Sequence, residues 1–281
     1  MSVKAQNITT RGWLRRFGLP LLLVPGVLVS IFPFYWAFIG ATNASGDILS
    51  VPPSFLPGDN ALENLRGLQE ETNFARVMFN SVFIALTYTV LGVLISSLAG
   101  YAFAKYRFRG REAIFFTLLL AVISYQVTLV PLFQIMVTLG WINTFQAIIL
   151  PNLAFPFGIF LMRQNMASIP DDLIEAARVD GCGEVRIFWQ VVLPTVRPAL
   201  AALAIFMFNF QWGNFIWPLV ALRTENMYTV PVALSSLIGL QRIDYGQLLM
   251  GSSLAVIPIM IFFLLLQRQF IAGILGGAVK G

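Results

Sequence analysis

Histidine is absent from this 281-residue chain, and Cys182 is its only cysteine. The first absence excludes imidazole-based catalysis and histidine metal ligation. A single thiol excludes an intramolecular disulfide and any metal site built from several cysteines. The only lysines are Lys4, Lys105 and Lys280, and none precedes serine or threonine, whereas a phosphate-cradling P-loop needs Gly-Lys-Ser/Thr. The chain therefore cannot hydrolyse ATP by that route, and an ATP-driven process would need a separate ATPase.

Charge is also scarce. Only 11% of the residues are charged and 58% are hydrophobic, whereas a soluble domain carries about 25% charged residues. The net charge of +5 does not indicate nucleic-acid binding, because the basic residues cluster at the ends of apolar runs. That distribution is typical of membrane topology, so the sequence predicts a protein surrounded largely by lipid.

The apolar runs have the length of membrane spans, since a spanning helix needs about 20 mainly apolar residues. The run 113–162 is long enough for two spans, and Gly140 with its polar neighbours marks the break between them. We therefore predict an all-α membrane protein in which residues 1–281 form one transmembrane domain. The six predicted spans are 17–40, 79–103, 113–137, 143–163, 195–220 and 247–268.

The basic residues predict the orientation of these spans. Of the eighteen lysines and arginines, only Arg66, Arg76, Arg223 and Arg242 lie in the loops on one side. The positive-inside rule then places both termini, and the loop between spans four and five, in the cytoplasm. The acidic, proline-broken loop 43–78 would lie outside.

The loop 164–194 is the most informative part of the chain, because it is a charged segment between two uncharged ones. Ser168 can cap a short helix, Pro170 suits its first turn and Asp171 suits the positive end of its dipole. Leu173, Ala176, Ala177 and Asp180 share one side of that helix by their spacing. Gly181 can end it in a left-handed turn. The apolar side of a second short helix would consist of Ile187, Phe188, Val191 and Val192. Periodicity alone favours an amphipathic connector on the membrane surface.

A motif in this loop carries a resemblance to a known family. Its residues are Glu175, Ala176, Ala177, Gly181, Val191, Leu193 and Pro194. Their spacing resembles the coupling loop of bacterial ATP-binding-cassette importer permeases, with Val191 in place of the usual Ile and Cys182 in place of a small Ala. The resemblance implies that the hairpin seats in a cleft on an ATPase subunit. The coupling contacts would come from Glu175, Ala176, Ala177, Asp180, Gly181, Leu193 and Pro194. The tail would bring Lys280 near the ATPase, although a frayed terminus is an equal alternative.

Other segments resemble sugar permeases within that family. They are Asp180-Gly181, Gly100–Tyr106, Trp212–Phe215 and the ending Gly276–Gly281. The resemblance is to the second permease subunit of disaccharide and oligosaccharide importers of the maltose and lactose type. The usual Trp-Asn pair is interrupted here by Gly213.

The resemblance also implies a setting and a set of partners. The chain would be a non-catalytic, multi-pass subunit in the bacterial inner membrane. It would need no cofactor of its own, because a dimeric ATP-binding subunit would hold ATP and Mg. Its other partners would be a homologous second permease, an extracytoplasmic solute-binding protein, the sugar and membrane lipid, with no nucleic acid.

A path for an uncharged sugar needs neutral hydrogen-bonding groups and aromatic faces. The predicted path residues are Tyr125, Gln126, Asn152, Asn209, Phe210, Trp212 and Asn214. For any single amide the alternative is a hydrogen bond between helices.

The predicted span interiors contain no ionisable residue, which disfavours a secondary, ion-coupled carrier. An intramembrane enzyme is disfavoured by the lack of histidine and of paired acids. The same kind of importer for glycerol phosphate, a polyol or a peptide is the nearer alternative.

Overall fold

The computed structural model describes residues 19–120, 125–239 and 243–278, and every regular element in these ranges is a helix. The all-α prediction is therefore confirmed for the described residues. The first helices are α1 (Leu19–Gly40), α2 (Ser45–Ile48), α3 (Ala61–Thr72), α4 (Phe74–Lys105), α5 (Arg111–Leu120), α6 (Tyr125–Thr138), α7 (Phe145–Ile149) and α8 (Pro156–Ala167). They are followed by α9 (Asp171–Val179), α10 (Glu184–Ile187), α11 (Leu193–Thr195), α12 (Arg197–Trp212), α13 (Ile216–Ala221), α14 (Val230–Ile238) and α15 (Tyr245–Ala278).

Three of the described helices are long and apolar enough to cross a membrane. The qualifying segments are Leu23–Gly40, Phe74–Lys105 and Tyr245–Ile271. They correspond to the first, second and sixth predicted spans. The number of candidate spans rises to four if two further segments count as one broken span. These segments are Glu184–Thr195 and Arg197–Trp212, which meet at an angle of 84°.

The fourth and fifth predicted spans are not single helices. The span 143–163 is divided into α7 and α8 by a non-helical stretch at 150–155. Pro151 and Pro156 account for the division, because proline has no N–H to donate to a helix. The span 195–220 is divided likewise between α12 and α13. Residues 121–124, within the third predicted span, lie outside the described residues.

The chain contains two compact units, and the smaller one holds residues up to 68 together with 241–254. Its polar centre is Asn64, whose Nδ2 donates to the carbonyls of Ala41 at 2.8 Å and Asn43 at 2.9 Å. Ser45 Oγ donates to Asp244 Oδ1 at 2.8 Å. These bonds fasten the loop after α1 to the residues that open α15.

The larger unit holds residues 69–240 and 255–281, and within it α4 packs against α8 and α12. Gly100 lies at a close contact between α4 and α8, because a Cβ placed there would lie 2.6 Å from Met162 Cβ. Small residues allow membrane helices to approach in this way. Fully buried side chains in the hydrophobic cluster of this unit include Tyr88, Met162, Met166, Leu203 and Met207.

Candidate functional site

The first helix of the hairpin begins two residues later than capping by Ser168 would require. Helix α9 starts at Asp171, with Pro170 immediately before it, and Asp171 and Asp172 occupy its first turn. Ser168 does not cap it. Its Oγ donates to the Asn165 carbonyl at 2.8 Å and so closes the preceding helix α8. The expectation for Ser168 was wrong because the short hydroxyl finds a free carbonyl in the turn behind it.

The turn of the hairpin is made as the sequence predicts. Gly181 has a φ of +80°, which glycine adopts without the steric cost that a side chain would add. The N–H of Asp180 bonds to the Ala176 carbonyl at 2.9 Å, and that of Cys182 bonds to the Ala177 carbonyl at 3.0 Å. The carbonyls at the end of α9 are thereby satisfied, and the chain reverses at Gly181.

The hairpin has one buried and one exposed side. Ile174, Ile187 and Phe188 are at most 3% exposed, and they belong to the same hydrophobic cluster as Met162 and Met166. The exposed residues of the motif are Glu175, Ala176, Asp180, Gly181 and Pro194, while Ala177 and Leu193 are half-buried. The side of α9 that carries the predicted coupling residues is therefore accessible to a partner, because the buried side of this helix is the one that carries Ile174.

Glu175 is the exposed acid of the motif. Among the described residues, its carboxylate makes no hydrogen bond or ion pair within the chain. Small alanines beside an unpaired carboxylate let another protein's backbone and cation come close.

The second half of the hairpin ends in a sharp bend. After α10 a π-helical turn spans Phe188–Val192, and the N–H of Leu193 bonds to the Phe188 carbonyl. Pro194 follows, and it cannot donate to a regular helical ladder. The chain then bends by 84° into α12. The Leu-Pro end of the motif thus sets the angle between the hairpin and the helix it leads into.

Lys105, at the end of α4, holds the start of α9. Its Nζ donates to the Ile169 carbonyl and lies 2.6 Å from Asp171 Oδ1. The lysine side chain is only 6% exposed, although that of Asp171 is 75% exposed. The hydrogen bond from Lys105 keeps the pKa of the Asp171 carboxyl below its ordinary value.

Tyr106 holds the other half of the hairpin. Its hydroxyl donates to Glu184 Oε2, and Arg178 Nε lies 2.7 Å from Glu184 Oε1. Bonds from Arg178 and then Tyr106 lower the pKa of Glu184. Burial and the bond to Glu184 raise the pKa of the Tyr106 phenol. Glu184 therefore joins the end of α9, the start of α10 and the residue that follows α4.

Three of the predicted path residues meet in an open pocket of about 530 Å³. Its lining residues are Asn209, Phe210, Gly213, Asn214, Phe215 and Ile216, at the break between α12 and α13. Asn214 Nδ2 is buried and has no hydrogen-bond partner among the described residues. The pocket lining carries no ionisable side chain, so it offers amides and aromatic faces.

The other predicted path residues are distributed differently. Trp212 does not line this pocket; it is 6% exposed and its ring stacks on Phe208 at 5.6 Å. Asn152 lies in the non-helical stretch before α8, and its carbonyl accepts a bond from Tyr88 at 3.1 Å. The Tyr88 ring stacks on Phe210 at 6.3 Å, which connects Asn152 to the pocket indirectly.

Three predicted residues fall on parts of the chain that are not described. The side chains of Tyr125 and Gln126 are outside the described residues, although α6 begins at Tyr125. Lys280 lies outside them entirely. Their suggested roles stay predictions.

Sequence reasoning missed Lys105, Tyr106 and Glu184 as site residues. Lys105 contacts a residue 66 positions away, and Tyr106 contacts one 78 positions away, so no local pattern reveals either contact. The available signal was a lysine and a tyrosine at the end of a predicted span, opposite a loop rich in acids.

The described helices define an all-α protein with at least three candidate membrane spans. The chain belongs to the family described as "Binding-protein-dependent transport system inner membrane component", whose model matches residues 4–276.

The chain is similar to several curated proteins over most of its length. It is 37% identical to the arabinooligosaccharides transport system permease protein AraQ of Halalkalibacterium halodurans, over 99% of this chain and 100% of that protein. It is also 37% identical to the lactose transport system permease protein LacG of Rhizobium radiobacter, over 88% and 90%. The sn-glycerol-3-phosphate transport system permease protein UgpE of Agrobacterium fabrum is 33% identical over 90% and 94%.

A solved structure has the same fold. It is the crystal structure of a bacterial ABC transporter involved in the import of the acidic polysaccharide alginate, with a TM-score of 0.77 and 24% identity. The match covers 96% of this chain and all of the other.

Proposed function

We propose that this chain is a non-catalytic permease subunit of an ATP-driven sugar importer in the bacterial inner membrane. The family and the two sugar-transport relatives support this function. The observation that carries it is the hairpin, whose Glu175, Ala176 and Gly181 are exposed while Ile174 and Ile187 anchor it in the core.

We further propose that the chain crosses the membrane six times with both termini in the cytoplasm. In addition to the three long helices, the segments 113–137, 143–163 and 195–220 would complete the six. The break at 150–155 is compatible with membrane depth, because Trp217 and Tyr88 donate to the carbonyls of Ala147 and Asn152. The charge asymmetry supports the orientation. On this topology the whole chain would act as one transmembrane domain.

In this proposal the hairpin couples the chain to a separate ATPase dimer that binds ATP and Mg. Reversing a 1:99 conformational equilibrium takes about 5.5 kcal/mol of differential binding, which a neutral sugar with few contacts does not supply. An ATPase pair seated on the Glu175–Gly181 face can supply it. A homologous second permease and an extracytoplasmic solute-binding protein would complete the assembly.

The pocket favours a neutral sugar over an anionic solute. Asn209 and Asn214 offer hydrogen bonds to hydroxyls, and Phe210 and Phe215 offer faces for sugar rings. Glycerol phosphate, the solute in the name of one relative, is the second candidate. It is the weaker one, because a phosphate is normally held by charge-assisted bonds from arginine or lysine, and the pocket lining has neither.

The deciding experiment is co-purification of the ATPase with charge-reversed variants of this chain. Glu175→Lys should insert normally but lose stable association with the ATPase. Asp172→Lys, one turn earlier on the same helix and also exposed, is the matched control and should retain it. Equal retention by both variants would contradict the coupling role.

A further inference from the structure

The hairpin is joined covalently to α8 and α12 only, so any movement of the hairpin reaches α4 through side-chain contacts. Helix α4 is 32 residues long, contains no proline and ends at Lys105. It packs along both α8 and α12. We treat a continuous helix without proline as one body, so what is bonded to its two ends determines what it can transmit.

Two consecutive residues at the end of α4 bind both helices of the hairpin. Lys105 bonds to the Ile169 carbonyl and the Asp171 carboxylate at the start of α9, and Tyr106 bonds to Glu184 at the start of α10. Because the Lys105 ammonium is buried on this contact, it is held more firmly than an exposed pair would be.

Aromatic packing reinforces the same contact. The Tyr106 ring meets the edge of Tyr101 at 5.4 Å, and Tyr101 lies 5.6 Å from Phe188 in the π-helical turn. We call the residue pair Lys105 and Tyr106 the clamp.

The opposite end of α4 is bonded to the segment between α13 and α14. Asn80 Nδ2 donates to the carbonyls of Asn226 at 2.8 Å and Tyr228 at 3.1 Å. Ser81 Oγ accepts from the N–H of Val230 at 2.7 Å. At a rise of about 1.5 Å per residue, Asn80 and Lys105 are roughly 37 Å apart along the helix. This distance exceeds the thickness of the hydrocarbon core, about 30 Å.

We propose that α4 is a rod that links the hairpin to the 224–230 segment on the other side of the membrane, and that the clamp is what connects the hairpin to the rod. Lys105 and Tyr106 are positioning residues in this proposal, since they would contact neither solute nor nucleotide. The inference rests on the coupling role proposed for the hairpin. It adds a second route of transmission beside the covalent one through α12.

The test uses the assembled transporter in proteoliposomes, with Cys182→Ser as background and Glu225→Cys as a reporter at the far end of the rod. Glu225 is exposed, so its replacement can react with a maleimide. The reaction rate is measured with and without Mg-ATP, in the intact chain and in a Lys105→Met/Tyr106→Phe variant. Arg109→Met is the matched control. It removes a cation from the same loop, and the Arg109 side chain makes no bond among the described residues.

In the intact chain and in the control, Mg-ATP should change the reaction rate by about tenfold, within the usual range of allosteric coupling. The clamp variant should keep its ATPase subunits and its ATP hydrolysis, while the Mg-ATP effect falls below about twofold. Tyr106→Phe alone removes one oxygen and keeps the ring. It should give an intermediate effect, because the Lys105 contacts with Ile169 and Asp171 remain.

Two results would overturn the clamp. One is an undiminished Mg-ATP effect in the clamp variant. The other is loss of the ATPase subunits from it, because the residues would then only shape the hairpin. An intact chain that neither retains an ATPase nor responds to Mg-ATP would instead refute the proposed function, and the clamp with it.

Discussion

The indole N–H of Trp217 donates to the carbonyl of Ala147 at 2.7 Å, and both residues are fully buried. The partner of this carbonyl in a continuous helix would be the N–H four residues later, which is Pro151 and has none. Trp217 therefore supplies the donor that the proline removes. This bond joins α13 to α7, the pieces of two interrupted spans.

Trp217→Phe should lower the stability of the chain by about 1–3 kcal/mol, because it leaves a buried carbonyl without a donor. Thermal unfolding in detergent measures the effect. Trp189→Phe is the control, since Trp189 is 54% exposed and its replacement should change stability by less than about 0.5 kcal/mol. Equal shifts for the two variants would show that the indole bond contributes nothing.

The close contact between α4 and α8 predicts a difference between two glycines of the same helix. A Cβ at Gly100 would lie 2.8 Å from the backbone nitrogen of Arg163, and a backbone cannot move aside. A Cβ at Gly92 would meet the terminal methyl of Met207, which is the end of a flexible side chain.

Gly100→Ala should therefore destabilise the chain by about 1–3 kcal/mol, in the range of overpacked cores. Gly92→Ala should cost clearly less, because Met207 can adopt another rotamer. The two midpoints of thermal unfolding, measured side by side, decide the matter. A larger loss at Gly92 would mean that the helices are less tightly packed at Gly100 than the structure has them.

The sequence was sufficient for features whose cause is local. Long apolar runs predicted the helices that became α1, α4 and α15, because lipid requires about 20 apolar residues in succession. Gly181 predicted the turn of the hairpin, because its left-handed backbone is a property of one residue. The spacing also placed Leu173, Ala176 and Asp180 on one side of α9, and all three are exposed, whereas Ile174 is buried.

Features that depend on distant partners could not be read from the sequence. The break at 150–155 is stabilised by Trp217 and Tyr88, each more than sixty positions from its acceptor. Trp212 was expected on the path because it offers an aromatic face, and its ring is buried against Phe208. A hydropathy profile shows only an apolar run in these interrupted spans. It carries no information about which backbone groups bond to a residue far away in the sequence.

The turn of the hairpin provides a test at two neighbouring positions. Gly181 has a φ of +80°, whereas Gly183 has an ordinary φ of −70°, and a Cβ at either would meet no other atom within 4 Å. Alanine at Gly181 should therefore cost about 1–2 kcal/mol of backbone strain, while alanine at Gly183 should be nearly neutral. The measurement is the amount of ATPase that co-purifies with each variant. Similar retention by both would show that the turn does not need its left-handed residue.

The ion pairs of the hairpin predict its response to acid. The pKa values of Asp171 and Glu184 are lowered by their partners, so the folded state favours the charged forms. Their contribution is complete above the ordinary carboxyl pKa and is lost as the pH falls through the lowered values. The hairpin should thus hold its position from pH 7 to about pH 5 and loosen only below the ordinary carboxyl range of about 4.

A nitroxide attached to Cys182, in the turn of the hairpin, reports this loosening as an increase in mobility. Lys105→Met should move the pKa of Asp171 up towards its ordinary value and raise the label's mobility even at neutral pH. Arg109→Met should leave both unchanged. A mobility change between pH 7 and 6 in the intact chain would be inconsistent with two carboxylates of lowered pKa.

The unpartnered amide of Asn214 separates solute binding from folding. Its buried Nδ2 makes no hydrogen bond among the described residues, so Asn214→Ala removes no bond from the folded chain and should leave thermal stability unchanged or slightly higher. If a sugar hydroxyl accepts from this donor, the loss should reduce uptake of lactose or arabinotriose by about tenfold. Trp212→Ala is the contrasting variant, because truncating this buried ring should cost about 3–5 kcal/mol of stability. Normal uptake by Asn214→Ala, or a loss of stability as large as that of Trp212→Ala, would contradict the proposal that Asn214 lines the path.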